Sequence, residues 1–140
     1  MYQITDGTFE LARHYCIRRH RVVADGAWRD WDSCWFNALY TRVLPAHAVE
    51  LTSAYLDRAA AAALAQARLR TASPLKIAEL AAVIHLCGAG AGEAFALRGL
   101  RLTADQRCGE QEARVYVSRV TAKLRLFAAI ERGEEGGAEP

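Results

Sequence analysis

Between Pro45 and Pro74 the chain contains neither glycine nor proline, and five consecutive alanines, Ala59 to Ala63, stand in the middle of that stretch. Alanine has the strongest helix propensity, and proline fits a helix's first turn because no backbone donor is missed there. The pattern predicts one helix from Pro45 through "HAVELTSAYLDRAAAAALAQARLR". At ~1.5 Å per residue it would be about 37 Å long, enough to act as the spine of a small helical fold.

The flanking signals extend this reading. Ser73-Pro74 predicts a further helix start, with the serine hydroxyl accepting from free amides. Thr103-Ala-Asp-Gln106 has capping-box spacing, so a last helix is expected to begin there and, through or after Gly109, to run along Ala113, Tyr116, Val117, Val120, Leu124 and Phe127 to Gly133. Near the start, Asp6-Gly7-Thr8 offers caps for a first helix through Phe9, Ala12, Tyr15 and Cys16 to about His20. "VVADGAW" is read as a loop, and a second helix is expected from Asp30 or Asp32 to Val43, before Pro45. No strand–helix alternation supports a parallel sheet. The expected class is therefore all-α, a compact single-domain bundle of five or six helices over residues 1–132, with 133–140 a disordered acidic tail.

Composition narrows the function classes without choosing among them. No apolar run reaches the ~18 residues of a membrane span, and the first residues lack the pattern of an export signal. A cytoplasmic protein with free thiols is expected, although Cys87 and Cys108 each precede a glycine and a pairing between them is conceivable. Sixteen arginines against two lysines fit a GC-rich bacterial, phage or plasmid gene. Residues 1–130 hold 17 basic and 12 acidic side chains, too mild an excess to imply nucleic acid on its own.

Four constellations carry candidate chemistry. "HLCGAGAGEAF" sets Gly88, Gly90 and Gly92 at alternate positions, after His85 and Cys87. A phosphate loop would need a preceding strand and a following Lys-Ser/Thr pair, and Glu93 puts negative charge where the anion would sit. Close packing or a turn is the expected role: either a continuous helix with a smooth stripe of Gly88, Gly92, Ala96 and Gly99, or a helix ending at Gly88 and a new one near Gly92. His14, Cys16 and His20, with Cys34 or His47, lack the paired spacing of a zinc site, so no metal and no cofactor are expected. Arg13, Arg18, Arg19 and Arg21 are candidate phosphate contacts.

Trp28, Trp31 and Trp35 sit at i, i+3 and i+7; an aromatic stripe at helical spacing is usually core, but with Arg29, Asp30 and Asp32 as a polar rim this is the first choice if any surface here binds a protein. The leading expectation is an accessory protein acting by protein–protein interaction, as an adaptor, inhibitor or immunity-like factor. A nucleic-acid regulator using the arginine cluster is the first alternative. A hydrolase-like enzyme built on Glu93, His85 and Cys87 is the second.

Overall fold

A computed structural model describes residues 5–34 and 44–133, and the chain divides into two compact units, residues 1–61 and 62–140. The first holds α1 (Asp6–Ala12), the hairpin β1 (Tyr15–Arg18) and β2 (Arg21–Ala24), and most of α2 (Pro45–Gln66). The second holds α3 (Pro74–Cys87), α4 (Ala89–Leu97), the two-residue strands β3 (Arg107–Cys108) and β4 (Gln111–Glu112), and α5 (Ala113–Glu131).

The all-α expectation does not hold. Among the described residues five helices account for 59%, but two small antiparallel sheets put the protein in a mixed class. In the first unit the helix expected to reach His20 stops at Ala12, and Tyr15–Arg18 pairs with Arg21–Ala24, Cys16 opposite Val23. Ile17, Val22 and Val23 favour extended backbone. The two-residue turn is Arg19-His20, with φ of 47° and 63°. Such hairpin turns usually carry Asn-Gly, and left-handed backbone costs other residues roughly 1–2 kcal/mol each. The turn therefore left no sequence signature.

The second unit follows the cap signals more closely. Ser73 Oγ accepts from Lys76 N (3.3 Å), and Pro74 occupies the first turn of α3. The break falls at Gly88, whose φ of 88° and ψ of 168° only glycine adopts readily, and α4 begins at once. α3 packs on α4 and α5 and buries Leu80, Val83, Ile84, Phe95 and Val117. Gly92 is buried because its neighbours leave no room: a β-carbon there would collide with Ile84 Cγ1 and sit 3.0 Å from Ile84 Cδ1. Gly88 and Gly90 meet nothing within 4 Å, so only part of the expected glycine stripe is a packing surface.

The capping box at Thr103 does not start a helix. Gln106 is used elsewhere, its side-chain oxygen accepting from Arg98 Nη2 (3.1 Å) and its carbonyl from Ala113 N (3.0 Å). A hairpin with Gly109 at φ 60° intervenes, and α5 starts only at Ala113. Its end agrees with the expectation: Gly133, at φ 73°, donates to Ile130 O. The remainder of the expected tail, residues 134–140, lies outside the described residues.

The four cysteines are not free. Cys16 is bonded to Cys34 and Cys87 to Cys108, with Cα separations of 5.7 and 5.2 Å, inside the range a disulfide requires. Each unit contains one such bond. Cys16 is on the buried side of β1, and Cys34 closes the loop after β2.

Two predictions follow from this packing. Gly92→Leu should destabilise the fold by roughly 1–3 kcal/mol or more through overpacking on Ile84, whereas Gly90→Ala, in open space on a helix, should stabilise by about 0.4–1 kcal/mol; denaturant melts of both variants check this. The unfolded, unreduced protein should show no titratable thiol, and replacing both Cys16 and Cys34 by Ala, which opens a link of 18 residues, should cost about 3 kcal/mol.

Candidate functional site

The helix expected from Asp30 or Asp32 does not begin there, because residues 28, 29 and 31–34 are turns; residues 35–43, the rest of that expected helix, lie outside the described residues. Asp30 explains why. Its carboxylate accepts from Asp32 N (3.1 Å), and its carbonyl accepts from both Ser33 N (3.0 Å) and Ser33 Oγ (2.7 Å). These short-range bonds compete with helical ones, as aspartate and serine do where they cap or turn a chain. Ser33 is buried beneath Gly26, whose hydrogen faces Ser33 so closely that a β-carbon would stand 2.7 Å from Ser33 Cβ. Cys34 N then donates to Ala24 O (3.3 Å), and the Cys16 disulfide ties the end of the loop to the first strand.

On this braced loop the indoles turn outward. Trp28 is 69% exposed and Trp31 79%, and the Arg29 guanidinium lies 4.7 Å from the Trp28 ring centre. Asp32 reaches the hairpin turn through an ion pair with Arg19 (3.6 Å). The sequence pattern left open whether this tryptophan group was core or surface; Trp28 and Trp31 are surface, and Trp35 lies outside the described residues. Large, rigid side chains on a fixed loop lose little conformational freedom on binding.

The other candidate groups are dispersed. Arg13 ends α1, pairs with Glu10 (3.3 Å) and lies over Phe9, while Arg18, Arg19 and Arg21 surround the hairpin turn. They do not lie along and just beyond one helix, as a first helix to about His20 would have placed them, because α1 ends at Ala12. His14 Nδ1 is 2.8 Å from Asp25 Oδ2, and Cys16 and Cys34 spend their sulfurs on each other. His85 stands in the last turn of α3 and Glu93 within α4. Cys87 is bonded to Cys108, so it has no thiolate to offer as a nucleophile.

The sequence reading missed one feature. In the second unit a groove of about 540 Å³ runs beside α5, walled on that side by Arg114, Ser118, Thr121 and Arg125. Their spacing of i, i+4, i+7 and i+11 puts them on one helix face, a signal present in the sequence once the helix is known to start after Gly109.

If the loop is held as described, Gly26→Ala should push Ser33 out of place and loosen residues 25–34. The expected outcome is a change in tryptophan fluorescence and near-ultraviolet dichroism, with little change in the helical far-ultraviolet signal. No protein-family model matches the chain, and neither a curated protein nor a solved structure resembles it significantly.

Proposed function

We propose that this is a non-catalytic binding protein that engages a protein partner through the Trp28–Trp31 loop, as an adaptor, inhibitor or immunity-like factor of bacterial, phage or plasmid origin. One observation carries the reading: two tryptophans are 69% and 79% exposed on a loop that internal hydrogen bonds and a disulfide already hold in shape. Tryptophan offers a large apolar area with a polar handle, and it is the residue type most enriched where a few side chains dominate an interface. Arg29 and Asp32 beside the indoles supply the polar rim that excludes water around such anchors.

Among the described residues no helix is long and apolar enough to cross a membrane. The cytoplasmic expectation rested on the absence of an export signal, but disulfides persist in oxidising surroundings and are rare where glutathione keeps thiols reduced. Two cystines therefore favour an oxidising compartment as the place of work. The nucleic-acid alternative loses support from the pairing of Arg13 with Glu10 and of Arg19 with Asp32. The hydrolase alternative loses the Cys87 thiol.

The test is purification of the tagged full chain from its native cells without reductant, with Trp28→Ala and Trp31→Ala in parallel. A stoichiometric protein partner should be recovered with the wild type. Trp31→Ala should weaken it by about 2 kcal/mol or more, roughly 30-fold. A partner retained equally by both variants would remove the loop from the interface.

A further inference from the structure

α5 begins without the features that start a helix. Its N-cap, Glu112, makes no side-chain capping bond, no acidic residue stands in its first turn, and Arg114 puts a positive charge at the positive end of the helix dipole. A better start lies upstream, unused. Thr103 has the capping-box relation to Gln106, Asp105 would fall in the first turn, and Glu110 would face Arg114 at i, i+4. Thr103 is exposed, and its hydroxyl has no hydrogen bond among the described residues.

The hairpin between the two starts is what keeps the chain off the better one. β3 and β4 pair only Arg107 with Glu112 and Cys108 with Gln111, across a turn with Gly109 at φ 60°, and so short a ribbon is not stable alone. From Thr103 to Glu112 only Gln106 and Cys108 are partly covered. The hairpin is held by the bonds of Gln106 with Arg98 and Ala113, by Arg107 donating to the Glu110 carbonyl (2.8 Å), and by the Cys87–Cys108 disulfide. That disulfide is also the more accessible of the two: Cys16 and Cys34 are buried, Cys87 and Cys108 only half-buried. A reductant therefore reaches it first.

We propose that Cys87–Cys108 is a redox switch, whose reduction by a dithiol lets residues 104–112 leave the hairpin and join α5 as one longer helix capped by Thr103. In the exchange the two sulfurs of the dithiol end joined to each other, and its two protons pass to the sulfurs of Cys87 and Cys108. Arg101 and Leu102 lie just before the segment that moves and Arg114 just after it, and all three line the groove beside α5. The groove therefore keeps its present form only while the bond is intact.

The test is titration of the full, oxidised chain with dithiothreitol, with alkylation and mass mapping to place the free thiols. Helix is read by far-ultraviolet dichroism and by amide exchange at residues 107–112. Cys87 and Cys108 should open first, with a rise in helical signal and slower exchange at 107–112, and C87S/C108S should show both changes without reductant. Two more variants separate a switch from simple loosening. Thr103→Ala should leave the oxidised protein's melt and spectrum unchanged but remove most of the gain on reduction, because the hydroxyl acts only as the new cap. Gly109→Ala disfavours the left-handed turn of the hairpin and favours the helix, so it should shift the exchange equilibrium toward the reduced protein by about fivefold or more. Faster exchange at 107–112, a hairpin unchanged by selective reduction, or loss of the whole fold when this bond alone is opened overturns the proposal. So does opening of Cys16–Cys34 first, or a full helical gain in Thr103→Ala.

Discussion

The bond between Cys16 and Cys34 is the constraint on which the first unit depends. A two-stranded hairpin of four residues a side is at best marginally stable in water, and in this chain its turn uses two residues with left-handed backbone and no glycine. The disulfide offsets that weakness by limiting the conformations of the unfolded chain. It also brings Cys34 against the hairpin and so shapes the intervening loop. Glu50 and Arg58 of α2 add to the support, accepting from Ile17 N (3.0 Å) and donating to Val22 O (2.9 Å). With the loop closed in this way, Ser33 is buried and Trp28 and Trp31 point outward.

The second unit is arranged differently. Its order comes from apolar burial among α3, α4 and α5, for which Gly92 provides the close approach to Ile84. The Cys87–Cys108 bond and the Arg98–Gln106 hydrogen bond fasten the short hairpin before α5. That hairpin delays the start of the last helix to Ala113, and this start places Arg114 and Arg125 along the groove. The two surfaces thus have different chemistry: one offers exposed indoles, the other a groove with arginines along α5.

The helices were legible wherever the chain carries its own start and stop signals. Pro45, the alanine run, Ser73-Pro74 and Gly133 act through local backbone geometry and propensity, which do not depend on distant residues. α2 appears as expected from Pro45 but ends at Gln66, before the expected limit, with Arg68 at φ 56°. The role of Gly92 was also open to sequence reasoning, because a glycine inside a helix needs a reason and a bulky neighbour supplies one.

What only the tertiary structure decided were the features that join residues far apart in the chain. Helical spacing through Tyr15 and Cys16 is satisfied equally well on paper by a helix, but pairing with Val23 and bonding to Cys34 selects a strand. Gln106 could cap its own helix only if Arg98 did not claim its side chain. The outward turn of Trp28 and Trp31 follows from a loop closed by residues on both sides of it. The sequence by itself thus determined which segments want to be helical, because propensity and capping are local. The hairpins, the cystines and both candidate surfaces required the fold, because each depends on contacts between segments that local preference does not specify.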